Sequence, residues 1–298
     1  MKYFVASDED RRLDAATRRS LRGSFVALSD GVTHYELTGP DEGELAVLVG
    51  GLTIPLFYWD DLAARLHARG LRTLAYSAYG RGYSDRLTGS YDEALFVRQL
   101  AELTSALDLT PPRHVVGTSM GALVAMAYTS QYPDAVATLT VVGPAGLATR
   151  PRPQRLLRND LVGGFVARRF GRNLLEDHLG HNVRDPGRSA ELVAMVRDAY
   201  RYEGSLYAFF QTLRDFPLYE RQELFRRTGA LGIPVLLVWG DDDKVTPVTH
   251  LDTVVELLRP RRTHVITECG HMAPFERPRD VGDLLASFAV PHQDRLEP

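Results

Sequence analysis

The chain has 298 residues, 44% of them hydrophobic and 24% charged, which suits one large α/β domain or one domain carrying an inserted subdomain. Its net charge of −3 offers no basic surface, so neither nucleic acid nor an anionic membrane is expected as a partner. The single cysteine, Cys269, forbids a disulfide within the chain and fits a reducing compartment. The N-terminus lacks a signal-peptide core, and no run approaches the ~18 apolar residues of a membrane span, so a soluble cytoplasmic protein is expected.

Residues 1–23 are charged, include a short helical stretch at Asp14–Leu21, and are expected to lie as an extension over the sheet. Ser24–Leu28 and Val32–Leu37 read as strands joined at Ser29-Asp30-Gly31, a hairpin signal. Leu45–Val49 is a continuous apolar run, as in a strand covered on both faces, and Gly50-Gly51-Leu52-Thr53 ends it. A helix at Asp60–Arg69, a strand at Thr73–Tyr76, a Gly80-Arg81-Gly82 loop and an amphipathic helix at Tyr91–Leu107 follow. Next come the strand Arg113–Val116, a small-residue helix at Ala122–Tyr128, and a strand at Ala137–Val142. This alternation predicts a mostly parallel sheet with helices on both faces over 24–146. The pattern then changes. Residues 147–229 are arginine-rich and helical in spacing, with Tyr200, Tyr202, Tyr207, Phe209, Phe210 and Phe216 among them. This stretch reads as an inserted helical cap whose aromatic residues form its core rather than line a site. Strands resume at Val235–Trp239 and His264–Ile266, and a last helix at Val281–Phe288 closes the second part of the core, 230–298.

Between strand and helix stands Gly117-Thr118-Ser119-Met120-Gly121, a Gly-x-Ser-x-Gly motif in the context that makes it a nucleophile elbow. A serine hydroxyl is a weak nucleophile at neutral pH; it needs a base, and the base needs an orienting acid. In this architecture they follow in the order serine, acid, histidine. Of the histidines after Ser119, His271 lies on a loop after an apolar strand, where open α/β sheets assemble their sites. His264 begins that strand and reads as structural. His178 and His181 read as a solvated helix face rather than metal ligands. The acid belongs after Val235–Trp239, where Asp241, Asp242 and Asp243 all stand open to the role. An oxyanion needs two N–H donors: one from Met120, after the nucleophile, the other from the loop after Val49. Cys269 reads as a small buried residue.

Five pieces occur in order: Gly51-Leu52-Thr53 with Phe57-Tyr58-Trp59-Asp60; Tyr79-Gly80-Arg81-Gly82-Tyr83-Ser84-Asp85; the elbow; Trp239-Gly240-Asp241-Asp242-Asp243 with Pro247; and Cys269-Gly270-His271 with Glu276-Arg277-Pro278. With them the core from Ser24 to Ser287 resembles the α/β-hydrolase superfamily, in particular its capped, esterase-like members. The resemblance implies a carboxylic ester hydrolase with no metal or organic cofactor, acting on a small-molecule acyl substrate. It selects Asp243 as the acid, and Leu52 as the second oxyanion donor with Gly51 as alternative. Acyl transfer, thioester cleavage, cyclisation and cofactor-free carbon–carbon bond hydrolysis use the same serine, histidine and acid. A receptor-like binding module is disfavoured by their joint presence. Two departures stand out: Gly50 where relatives have histidine, and Ser77 where they have aspartate. Their joint loss is expected to leave a smaller, less polar wall beside Ser119.

Overall fold

The computed structural model describes residues 1–151, 160–180 and 182–289. Eight strands form one sheet in the order β1-β2-β4-β3-β5-β6-β7-β8. They are β1 (Ser24–Ala27), β2 (Val32–Thr38), β3 (Leu45–Val49), β4 (Arg72–Tyr76), β5 (Arg113–Thr118), β6 (Val136–Val142), β7 (Val235–Gly240) and β8 (Arg262–Ile266). The β1/β2 and β2/β4 pairings are antiparallel, and every other pairing is parallel. The run read as a doubly covered strand, β3, is buried from Ala46 to Val49, and β5 and β7 are buried at every residue. Helix α1 (Ala15–Arg18) is capped by Asp14, α2 (Asp60–His67) follows β3, and α3 (Glu93–Ala106) is capped by Asp92. Helix α4 (Met120–Gln131) is buried from Met120 to Thr129, as expected of a helix apolar on all sides.

Between β6 and β7 lie four described helices: α5 (Asp160–Leu179), α6 (Pro186–Ala199), α7 (Ser205–Asp215) and α8 (Gln222–Gly229). Part of the stretch read as a cap, residues 152–159 with His181, falls outside the described residues, as do 290–298. All six aromatic residues singled out there are buried, Tyr200 and Phe216 completely. Helices α9 (Leu251–Leu258), α10 (Ala273–Glu276) and α11 (Pro278–Ala289) complete the chain, with α11 packed on α2.

Only the end of the N-terminal extension lies against the sheet as expected, where Arg22 bonds Glu36 on β2 and Arg18 lies over Phe25 on β1; its first residues lie on α5–α7 instead. Tyr3 and Phe4 pack edge-on against Tyr207, and Arg11 bridges to Tyr202. Buried Glu9 accepts from the N–H groups of Gly204 (2.9 Å) and Leu206 (2.7 Å). The reason is helix polarity: a carboxylate is held where the first N–H groups of α7 have no partner within the helix.

Ser77, at the end of β4, does not face Ser119. Its Oγ accepts from Leu56 N–H (3.1 Å) and lies 3.2 Å from His34 Nδ1, while His34 Nε2 lies 2.9 Å from Arg22 O. The two bonds assign the imidazole proton to Nε2, with Nδ1 accepting from Ser77. Burial pulls His34 from its ordinary value of 6.5 down to about 3. A depressed histidine contributes stability that is complete above about 6.5 and lost as pH falls toward about 3. Lowering pH from 6.5 to 4.5 should therefore remove about 2–3 kcal/mol through this group. Urea unfolding at both pH values should show His34→Gln losing less of its stability on acidification than the parent.

Candidate active site

The C-terminal ends of β3, β5, β6, β7 and β8 all point the same way, which brings Leu52, Ser119, Gly143, Asp243 and His271 to one end of the sheet. Ser119 has φ +55° and ψ −120°, a conformation that a non-glycine residue holds only when its surroundings impose it. The imposition is visible at its neighbours. A Cβ on Gly117 would stand 2.5 Å from Gly121 O, and one on Gly121 only 2.2 Å from Val49 O. The chain turns from β5 into α4 with no room for side chains on either side of Thr118-Ser119-Met120. Ser119 N–H donates to Val142 O at 3.0 Å, which ties the elbow to the end of β6.

Asp243 and His271 form a buried pair. His271 Nδ1 lies 2.8 Å from Asp243 Oδ2, with the side chains 1% and 0% exposed. The other carboxylate oxygen accepts from Val245 N–H (2.9 Å) and Thr246 N–H (2.8 Å). Thr246 Oγ1 lies 2.8 Å from Asp243 Oδ2, 3.1 Å from Gly143 O and 3.2 Å from His271 Nδ1. Nδ1 therefore carries its proton toward the carboxylate, leaving Nε2 as the free basic nitrogen. This pair stands next to the elbow's own anchor. A Cβ on Gly143, the residue after Val142, would lie 3.1 Å from Asp243 Oδ2 and 3.5 Å from His271 Nδ1.

The other two aspartates are engaged elsewhere. Asp241 is exposed, and its carboxylate accepts from Cys269 N–H at 3.3 Å. Asp242 is paired with Lys244 and lies 3.9 Å from Arg184. Cys269 is fully buried, and burial pushes its thiol up to about 12, so it holds its proton. His264 lies on the edge strand β8 and is exposed.

Leu52, Met120 and Ser119 line one cavity of about 190 Å³. Met120 opens α4, so its N–H has no partner within the helix. Among the described residues the Leu52 N–H also has no acceptor. A Cβ on Gly51 would lie 3.4 Å from Ser119 Cβ and 3.9 Å from its Oγ, so the loop after β3 runs directly against the nucleophile position. Leu147, Ala148, Leu213, Leu218, Tyr219 and Val245 are among the residues of its wall. Neither Gly50 nor Ser77 belongs to it: the space beside Gly50 is filled by Ile54, 3.3 Å from where a Cβ would stand. His178, expected on a solvated face, instead lines this cavity together with His250. A larger hollow of about 820 Å³ sits at the opposite end of the strands, beside Leu45, His114 and Pro234, remote from all of these groups.

Three residues escaped a role in the sequence reading. Thr246 stands immediately before Pro247 and three residues after Asp243, the spacing of a local loop that folds back on its own carboxylate. Glu276 accepts from Gly270 N–H (3.1 Å) and Arg184 N–H (2.7 Å), fixing the backbone just before His271. Arg81 was visible only as the variable position of a glycine loop. Replacing Thr246 by valine removes the hydroxyl while keeping the backbone donors; turnover of a p-nitrophenyl ester should fall about 3–30-fold, in line with a lost hydrogen bond to a charged group of about 1–2 kcal/mol.

A serine strained at the turn between a parallel strand and a buried helix, with an imidazole–carboxylate pair on the ends of the last two strands at the same end of the sheet, is the arrangement of an α/β-hydrolase. The chain belongs to the alpha/beta hydrolase fold family, whose model matches residues 47–278. It is 27% identical over 203 residues to a monoacylglycerol lipase of Mus musculus, covering 64% of this chain and 59% of the lipase. The chain thus matches about three-fifths of the length of that relative. It is 25% identical to a 2-hydroxy-6-oxo-6-phenylhexa-2,4-dienoate hydrolase of Comamonas testosteroni, covering 88% of this chain and 92% of the relative. Among solved structures, a thermophilic esterase from Thermogutta terrifontis superposes with a TM-score of 0.74 at 21% identity, covering 89% of this chain and 97% of the esterase. No described helix is long and apolar enough to cross a membrane.

Proposed function

We propose that this protein is a serine hydrolase of small carboxylic esters or related acyl compounds, working through an acyl-enzyme. Ser119 attacks the carbonyl, and His271 Nε2 takes its proton and later returns it to the leaving group. Asp243 holds the imidazole tautomer and steadies its positive form. The N–H groups of Met120 and Leu52 stabilise the tetrahedral oxyanion, each worth roughly 2.7–4 kcal/mol of barrier. Water then releases the acid. The helices between β6 and β7 act as a cap over the acyl pocket. The observation that carries this reading is the buried His271–Asp243 bond at 2.8 Å beside the strand end that anchors the Ser119 elbow.

The size of the cavity narrows the substrate. At about 190 Å³ it falls below the ~300–1,000 Å³ of sites for drug-sized ligands, so short acyl groups are favoured. Its lining includes no arginine or lysine among the described residues, which favours a neutral ester over a carboxylate-bearing dienoate like that of the Comamonas relative. A series of p-nitrophenyl esters should show kcat/KM highest from acetate to butyrate and at least tenfold lower at decanoate; a rise with chain length would overturn the size argument. A fluorophosphonate probe should label Ser119 stoichiometrically in the parent and not at all in His271→Ala. A parent that stays unlabelled would end the proposal of an activated serine.

A further inference from the structure

The loop that carries the second oxyanion donor has almost nothing of its own to hold it. Residues 51–54 follow β3 in irregular conformation, and among the described residues they make a single hydrogen bond. That bond comes from Arg81 Nε to Leu52 O, at 2.7 Å. The same guanidinium donates through one terminal nitrogen to Tyr79 O (2.9 Å) and through the other to Thr212 Oγ1 (2.9 Å) on α7. Thr212 passes its own proton to Ala208 O at 2.8 Å, so its hydroxyl is oriented as an acceptor. One face of the guanidinium lies 5.5 Å from the Phe96 ring.

Arg81 is 0% exposed and has no carboxylate partner among the described residues. A guanidinium removed from water to face three neutral oxygens is a poor source of stability, because desolvation outweighs bonds of that kind. What it supplies is geometry: a planar fork with donors in fixed directions, reaching three elements at once. Holding Leu52 O fixes the Leu52–Thr53 peptide, and that limits the rotation of the neighbouring Gly51–Leu52 peptide, which carries the Leu52 N–H. An oxyanion donor is useful only when it is in place before charge develops.

We propose that Arg81 is a positioning residue for the reaction: it sets the Leu52 donor and links that setting to the seating of α7, so that the cap and the oxyanion site are coupled through one side chain. The proposal rests on the serine-hydrolase reading above. It assigns Arg81 no contact with substrate, since Arg81 is not among the residues lining the Ser119 cavity.

The test compares two ketones matched to the best short acyl ester: a trifluoromethyl ketone, which forms a tetrahedral adduct with the serine, and its methyl ketone, which binds without doing so. In Arg81→Met, kcat should fall about 10–100-fold with KM within about threefold, less than the loss of a whole donor. Affinity for the trifluoromethyl ketone should fall in parallel while that for the methyl ketone stays within about twofold. Thr212→Val, which removes the link from Arg81 to α7 together with the hydroxyl's bond to Ala208 O, should lower the same affinity ratio about 3–10-fold, and Thr212→Ser, which keeps the hydroxyl, should restore it. If Arg81→Met does not fold, the Thr212 pair carries the test alone. A merely structural role would lower the unfolding midpoint and the titratable active fraction while leaving the affinity ratio unchanged; that result overturns the proposal. So does a Thr212→Val enzyme indistinguishable from Thr212→Ser. A parent enzyme that takes up no fluorophosphonate overturns the serine reading and this proposal together, whereas a fully labelled parent with an unchanged ratio in the variants overturns this proposal alone.

Discussion

Ser119→Ala and His271→Ala should each lower kcat/KM for a short p-nitrophenyl ester by about 10⁴–10⁶-fold, and the double variant should be no worse than the poorer single one. In the proposed mechanism the hydroxyl and the imidazole carry one step between them: without the base the serine stays protonated, and without the serine the base has no proton to take. Residual cleavage over water should persist in all three variants, because the proposed Met120 and Leu52 donors remain. Both single variants should fold. Alanine at 119 keeps the bonds of the elbow backbone to Val142 O and from Ala145 N–H, and position 119 has a Cβ already. Losses that add across the double variant would show that the two residues act in separate steps and would remove the shared mechanism.

Asp243→Asn should cost about 10⁴-fold in turnover, whereas Asp241→Asn and Asp242→Asn should each stay within about threefold of the parent. The contrast follows from what each carboxylate does. Asp243 takes donors on both oxygens: two backbone N–H groups on one, His271 and the Thr246 hydroxyl on the other. An amide there must present its NH₂ to one of those sets of donors. If the amide nitrogen faces His271, the imidazole turns to its other tautomer and Nε2 carries the proton, so it cannot serve as the base proposed for Ser119. Asp242 pairs with a surface lysine, and exposed Asp241 accepts one backbone N–H that an amide oxygen can also accept, so losing a charge at either costs little. Steady-state kinetics on the three variants, with folding checked by thermal unfolding, decides the ranking. A larger loss at Asp241 or Asp242 would move the acid.

The strands of the core were readable because they declare themselves, whereas their order in the sheet came only from the pairings. Leu45–Val49, Arg113–Val116 and Val235–Trp239 are short apolar runs bounded by glycine or proline, and a strand buried on both faces needs no alternation. The elbow was readable for a related reason: two glycines around a serine are demanded by backbone atoms within 2.5 Å, a local requirement that leaves a local mark. Asp243 was a different case. Three adjacent aspartates look alike in sequence, and only the loop fold from Trp239, whose indole donates to Thr246 O at 2.8 Å, turns one of them inward. The placement of the first N-terminal residues failed for want of any local signal: Glu9 finds its N–H partners on α7, nearly two hundred residues on. The reading of Ser77 failed in the same way, since the hydroxyl answers to His34 and Leu56 rather than to the cavity.

By itself the sequence determined the sheet, the turn at Ser119 and the candidacy of His271, because periodicity, glycine placement and strand-end position are properties of neighbouring residues. Residue patterns left three aspartates open and only resemblance pointed to Asp243; the tertiary structure alone showed that it meets the imidazole, that Thr246 joins them, that His178 borders the cavity and that Arg81 spans the donor loop and α7. Those are contacts between segments far apart in the chain, set by how the elements pack rather than by what each segment prefers on its own.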